Sequence, residues 1–215
     1  MEFLYLDSKI AVCVKSAGIL STDEPGGMPE RIRAALGDGN VPLYTVHRLD
    51  AAVGGVMVYA RTRHAAADLG RALREGRFRM EYLAVFRGIL PEKTGTMRDL
   101  LRRDTRERKT FVVSVPGKDV REAELAYAVL EERDGLSLVS VSLHTGRTHQ
   151  IRCQFAARGC PLWGDRKYGV GEETGSVALW SHRLSFDHPL TGERLSFTQP
   201  PPDAEPWRNF TWRQG

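Results

Sequence analysis

Residues 123–144 of the chain read AELAYAVLEERDGLSLVSVSLH. Two runs rich in apolar residues, 123–131 and 136–144, lie on either side of the dipeptide Asp134-Gly135. Asp and Gly tolerate the positive φ angles that a two-residue hairpin turn requires, so this dipeptide between alternating runs is a strong hairpin signal. The stretch therefore predicts two long antiparallel strands joined by a tight turn.

The rest of the chain shows shorter patterns of the same kind. Residues 4–6 and 10–14 predict a hairpin that turns at Asp7-Ser8-Lys9, and residues 178–186 and 194–197 predict another. Further strands are predicted over residues 55–60 and 79–88. Three helices are predicted. The first is a short piece at residues 30–36, and the third covers residues 147–158, with Gly159 just beyond its end. The second is amphipathic and ends at Gly76; its apolar face carries Ala66, Leu69, Ala72 and Leu73.

Strands outnumber helices in this pattern, and most neighbouring strands are connected as hairpins. The expected fold class is therefore α+β, with a mixed, mainly antiparallel central sheet and a few flanking helices. Residues 97–109 are Arg-rich with little apolar pattern, and we expect them to form a charged connector. A length of 215 residues fits one large domain, or two subdomains that share a core.

The composition is that of an ordinary globular protein, with 41% hydrophobic and 27% charged residues. No apolar run approaches the roughly 20 residues that span a bilayer, and the first residues lack the pattern of a secretory signal. We therefore expect a cytoplasmic protein without membrane contact.

The chain has three cysteines and no CxxC pair, which argues against a disulfide framework. The spacing of these cysteines to histidines matches no metal-ligand pattern.

Positive charge is concentrated in one part of the chain. The net charge is only +4, yet residues 61–109 contain fourteen Arg or Lys and seven Asp or Glu. Such asymmetry suits a partner that carries phosphates. The alternative interpretation is an Arg-rich solvated surface without a partner.

Several common enzyme classes lack their signatures here. The chain has no phosphate-binding GxxxxGK loop, no GxGxxG, no HExxH and no GxSxG. Three other segments remain as candidates: residues 46–50 (VHRLD), Tyr82 in a predicted strand, and residues 143–152 (LHTGRTHQIR). Taken singly, each has an ordinary structural interpretation, namely a loop-capping Asp, a core tyrosine, and an amphipathic helix capped by Thr145.

Taken together and in this order, the three segments carry a family resemblance. With Gly164-Asp165 and Tyr168-Gly169 they resemble the motifs of RluA-type pseudouridine synthases, and residues 4–20 are similar to the first strands of that family. The resemblance covers nearly the whole chain. Because the family pattern begins almost at Met1, we expect a single stand-alone catalytic domain over residues 1–215, without a separate N-terminal RNA-binding module. We also expect a monomer with no obligate protein partner.

The resemblance also implies roles for individual residues. Asp50 matches the essential catalytic aspartate, and Tyr82 matches the tyrosine that stacks on the target base. Arg152 matches the arginine that pairs with the catalytic carboxylate, and Ile151 matches the apolar residue packed against the base. Arg48 matches the arginine that helps to hold the nucleotide out of its stack.

The implied reaction converts a specific uridine in structured RNA, ribosomal or transfer, to pseudouridine. It breaks an N–C glycosidic bond and forms a C–C bond without redox change or an external group, so we expect no cofactor and no metal. Asp50 would attack either C1′ of the ribose or C6 of the base. We assign Arg102, Arg103 and Arg106 to contacts with the RNA backbone.

Four positions at three sites depart from the family pattern. Val53-Gly54 stand where a pair of hydroxyl residues is usual, Ser16 where proline is common, and Gln154 where histidine is frequent. None of them removes a proposed catalytic group.

Two other function classes stay open at this point: a catalytically silent RNA-binding or RNA-chaperone protein of the same fold, and a carboxylate-based glycosidase that acts on small nucleosides.

Overall fold

The structure is a computed structural model that describes residues 1–169 and 176–212. In chain order, the elements of these residues are β1 (Phe3–Leu6), β2 (Ile10–Lys15), α1 (Met28–Leu36), β3 (Tyr44–Thr45), β4 (Gly54–Ala60), α2 (Arg63–Arg74), β5 (Arg79–Arg87), β6 (Thr94–Asp104), β7 (Lys109–Val113), β8 (Val120–Arg133), β9 (Leu136–Leu143), α3 (Gln150–Ala156), β10 (Leu179–Asp187) and β11 (Arg194–Thr198). The chain divides into two compact units, Met1–Met80 with Trp180–Pro201, and Glu81–Leu179 with Pro202–Gly215.

The first unit is built on strands β1, β2, β4, β10 and β11. Strand β4 is buried along its whole length and pairs antiparallel with β2 and parallel with β10. The parallel pairing depends on glycine, because a Cβ atom on Gly55 would lie 2.3 Å from the carbonyl oxygen of Ser181. The hairpin predicted over residues 4–14 is confirmed as β1–β2, and β10–β11 confirms the last predicted hairpin.

The second unit holds the strands β5, β9, β8, β6 and β7, each antiparallel to the next. The predicted hairpin at Asp134-Gly135 is confirmed, with φ angles of 51° and 73° at the two turn residues. Helix α3 packs on this sheet through Cys153, which contacts Leu101 and Ala123 in a small core cluster. The α+β fold class, with a mainly antiparallel sheet and flanking helices, is therefore confirmed.

The prediction of a charged connector over residues 97–109 is wrong. These residues form most of β6, a turn and the start of β7. The buried Met97 and Leu101 lie on one face of β6, and the residues between them are mostly charged, which hid the alternation. Arg102, Arg103 and Arg106 are nevertheless exposed, as the sequence predicts.

The prediction of a helix over residues 147–158 is correct in place but too long. Helix α3 begins only at Gln150, because His149 has a φ angle of 54° in the left-handed region and cannot continue a helix. Gly159, with a φ angle of 76°, follows the helix as predicted.

Within the described residues, no helix is both long and apolar enough to cross a membrane. The three cysteines are buried as free thiols.

Candidate active site

Asp50 lies in the loop that precedes β4, as predicted, and is partly exposed. Buried Ser21 holds the backbone just before it: the Ser21 hydroxyl donates to the carbonyl oxygen of Leu49 at 2.8 Å and accepts from the Leu49 N–H at 3.1 Å. On the other side, the Val53 N–H donates to the carbonyl of Asp50 at 2.9 Å. The backbone that carries the Asp50 carboxyl is thus fixed on both sides.

Lys15 is fully buried beside the same loop. Its ammonium group donates to the carbonyl oxygens of Ser16, Ile19 and Ala51 at 3.2, 2.6 and 3.1 Å. Burial lowers the pKa of Lys15 to about 8, and the charge of Asp50 acts in the opposite direction. At neutral pH a buried cation therefore lies within electrostatic range of Asp50, and it ties the segment after β2 to the residue next to Asp50.

The side chains around Asp50 alternate between core and solvent. His47 is buried, its Nε2 accepts from the N–H of Val58 at 3.2 Å, and its ring lies 5.5 Å from that of Phe78. Burial lowers the pKa of His47 to about 4, so the imidazole is neutral at physiological pH. Arg48 is exposed. The VHRLD segment therefore anchors the loop through His47, while Arg48 is exposed and Asp50 is partly exposed.

In the second unit, three residues named by the resemblance lie on β5 and α3. Tyr82 is opposite Val141 in the β5–β9 pair and is 5% exposed. Ile151 and Arg152 are in the first turn of α3 and are 4% and 5% exposed. A buried arginine needs a partner, because an isolated charge in the interior is very costly.

Arg152 has such a partner in Asp165. Its Nε and Nη2 atoms each donate to one carboxylate oxygen of Asp165 at 2.7 Å, which is a bidentate pair. The N–H groups of Lys167 and Tyr168 also donate to Asp165. Burial alone raises the pKa of Asp165, but the bonds and charge of Arg152 and the two N–H groups outweigh it, and the net pKa is lowered. The family resemblance includes Asp165 in the Gly164-Asp165 motif but implies no role for it.

Tyr168 connects this pair to its surroundings. The Arg152 guanidinium lies over its ring, 5.3 Å from the centroid. Its hydroxyl oxygen accepts from the N–H of Thr110 at 2.7 Å and lies 2.8 Å from Nδ1 of His149. Burial raises the pKa of Tyr168 to about 12, so it remains a neutral phenol. The YG motif thus links α3 to strand β7.

Thr145 does not cap the helix, so that interpretation is wrong. Its hydroxyl accepts from the N–H of Glu124 at 2.8 Å and contacts the side-chain oxygen of Gln150. The same Gln150 oxygen accepts from the N–H of Arg147 at 3.0 Å. Residues 145–149 are therefore a loop, held by hydrogen bonds to Glu124 and Gln150, that leads into the helix of Ile151 and Arg152.

Comparison with known proteins gives consistent matches. The family model described as RNA pseudouridylate synthase matches residues 9–157. An uncharacterized RNA pseudouridine synthase of Aquifex aeolicus is 33% identical over 225 residues, which cover 95% of this chain and 70% of that protein. The ribosomal large subunit pseudouridine synthase D of Neisseria meningitidis is 40% identical over 172 residues, which cover 74% of this chain and 45% of that protein.

Solved structures agree on the fold. Human RNA pseudouridylate synthase domain containing 1 superposes with a TM-score of 0.80 at 23% identity, covering 94% of this chain and 84% of that one. The fold and the matched motifs define the class of the protein as an RNA-modifying isomerase. The chain belongs to the RNA pseudouridylate synthase family, in its RluA-type branch.

Proposed function

We propose that Asp50 is the catalytic nucleophile in the conversion of one specific uridine of a structured RNA to pseudouridine. The observation that carries this proposal is the loop of Asp50, which Ser21 and Lys15 fix while Asp50 itself stays partly exposed. The name of the Neisseria relative favours ribosomal RNA as the substrate over transfer RNA. The silent RNA-binding alternative is not favoured, because the matched relatives are named as synthases.

The proposed chemistry is an isomerisation in which atoms and electrons balance. The bond from N1 of uracil to C1′ breaks, the base turns over, and a bond from C5 to C1′ forms. The hydrogen of C5 is lost to solvent, and N1 gains a proton. Asp50 would attack C1′ or C6, and both routes need an ionised carboxylate, which a cation within range favours. Lys15 is one such cation, and we propose Arg152 as the second.

The remaining residues would hold the flipped nucleotide. Taking a base out of its stack costs a few kcal/mol, which an aromatic ring such as that of Tyr82 can offset by stacking on the base. Ile151 would form an apolar wall that keeps the detached uracil in place. Arg48, exposed beside Asp50, would occupy the gap left in the RNA. Arg102, Arg103 and Arg106 are exposed, and those of them that face the bound RNA would contact its backbone as cations against phosphates.

The test is the variant Asp50→Asn, which keeps the size of the side chain and removes its charge. RNA labelled with tritium at C5 of uridine reports the reaction, because formation of the new bond releases that hydrogen. We expect normal folding and RNA binding but no tritium release from Asp50→Asn, and full release from the matched control Asp119→Asn, at an exposed residue before β8. Release by Asp50→Asn within tenfold of the wild-type rate would refute the role of Asp50.

A further inference from the structure

Strands β6 and β7 form a hairpin whose two faces differ in chemistry. Side chains alternate along a strand, so neighbouring residues point to opposite faces of the sheet. In β6, Met97, Asp99, Leu101 and Arg103 share one face, which we call the α3 face. Arg98, Leu100 and Arg102 share the other, which we call the outer face. Arg102 and Arg103 are therefore adjacent in sequence, equally charged and both exposed, yet on opposite faces.

The α3 face carries the helix of Ile151 and Arg152. Leu101 packs against Cys153 of that helix. Asp99 accepts from Nε2 of Gln154 at 2.6 Å and from the guanidinium of Arg158 at 3.0 Å. Any RNA that presents a nucleotide to Ile151 and Arg152 must therefore approach from the side of the hairpin on which α3 lies.

Arg103 lies at the uncovered end of the α3 face. Its cross-strand neighbour on β7 is Thr110, whose N–H donates to the hydroxyl oxygen of Tyr168. The ring of Tyr168 lies under the guanidinium of Arg152. Within the described part of the chain, no ion pair or hydrogen bond engages the Arg103 side chain. An unengaged guanidinium at this point is available for a phosphate, which it can bind through two parallel N–H donors.

The outer face is less suited to phosphate. Arg98 pairs with Glu124 across the strands at 3.1 Å, and Glu122 lies opposite Leu100 on the same face. This face therefore carries two glutamates of β8, Glu122 and Glu124, beside the two arginines of β6. The outer face does offer Phe111, which is 36% exposed and lies opposite Arg102, as a ring on which a base could stack.

We propose that the α3 face of the β6–β7 hairpin is the surface on which the RNA backbone docks, and that Arg103, unlike Arg102, contacts a phosphate next to the target nucleotide. This inference rests on the proposed function, since it takes the nucleotide to be bound at Ile151 and Arg152. Arg103 acts here in binding and takes no part in the chemistry.

The experiment compares Arg103→Ala with Arg102→Ala, which serves as a matched control in charge, exposure and strand. The probe is an in vitro transcript of large-subunit ribosomal RNA, and dissociation constants are measured across a salt series. We expect Arg103→Ala to weaken binding roughly tenfold and to reduce the slope of log Kd against log salt by about one. Arg102→Ala should stay within twofold of wild type, and Arg103→Lys should restore the salt slope because it keeps the charge.

The outcomes separate the inference from the proposed function. Equal affinities for the two alanine variants, or a larger loss for Arg102→Ala, would overturn the inference, and the second result would assign the RNA to the outer face with Phe111. Tritium release by Arg103→Ala at saturating RNA should equal that of wild type. A wild-type enzyme that releases no tritium would refute the proposed function, while the ratio of the two affinities would still decide which face binds RNA.

Discussion

Stability should fall between pH 6.5 and about 4 because of His47, the first residue of the His-Arg-Leu-Asp segment. Its Nε2 accepts the N–H of Val58, so the ring proton must be on Nδ1. Nδ1 is buried without a hydrogen-bond partner among the residues the structure describes. Burial disfavours the charged imidazolium and lowers the pKa of His47 to about 4. Protonation of Nε2 would also place a donor against the Val58 N–H.

The size of the effect follows from that pKa. In the unfolded chain His47 binds a proton below its ordinary pKa of 6.5, whereas in the folded protein it does so only below a pKa of about 4. The unfolded state therefore binds more protons in this window, and stability decreases as the pH falls through it. Above pH 6.5, His47 does not reduce the free energy of unfolding. Its effect lowers that free energy by about 2 kcal/mol at pH 5 and by about 3 kcal/mol below pH 4.

Urea unfolding of wild type and His47→Gln at pH 8, 7, 6 and 5 tests this reasoning. Glutamine offers an oxygen acceptor to the Val58 N–H but does not titrate, so the difference between the two free energies of unfolding isolates the histidine. His64→Gln, at a side chain that is 87% exposed, is the control and should follow wild type at every pH. Wild-type and His47→Gln curves that run parallel from pH 8 to pH 5 would refute the argument.

Two further predictions concern the buried ion pair and the expected absence of cofactors. Asp165→Ala removes the carboxylate that accepts two hydrogen bonds from the buried guanidinium of Arg152, and urea unfolding should show a loss of about 3–5 kcal/mol. Asp165→Asn keeps one acceptor and should lose less, so equal losses would contradict a role for these hydrogen bonds. Pseudouridine formation should survive exhaustive EDTA treatment without added nucleotide, because the isomerisation transfers no electrons and no external group. A divalent-ion requirement with an RNA that folds without divalent ions would show this expectation to be wrong.

The hairpins could be predicted because their signals are local. At Asp134-Gly135 the residue types, the turn length and the flanking alternation all indicate one structure, and the observed φ angles agree with it. The position of Asp50 before β4 could be predicted for the same reason, since a polar segment ends where a continuous apolar run begins. Its attachment to Ser21, which lies 28 residues away from Leu49, could not.

Strand β6 was missed because its pattern depends on distant contacts. Only Met97 and Leu101 are buried apolar residues in it, and Asp99 lies between them on the same face. An aspartate on the covered face of a strand contradicts simple alternation, and it is accommodated only because Gln154 and Arg158 of the helix region donate to it. No pattern within residues 94–104 indicates those donors, because they lie more than 50 residues further along the chain.

The pairing of Arg152 shows what resemblance can and cannot supply. The family pattern assigns Arg152 to a catalytic carboxylate, and that assignment remains a prediction for Asp50. Resemblance does not explain how an arginine that is only 5% exposed can remain charged in the core. Asp165 supplies that explanation, because a bidentate carboxylate both offsets the cost of burial and fixes the plane of the guanidinium. A function that needs Arg152 at one orientation therefore also needs Asp165, and substitution of Asp165 should reduce tritium release by a protein that still folds.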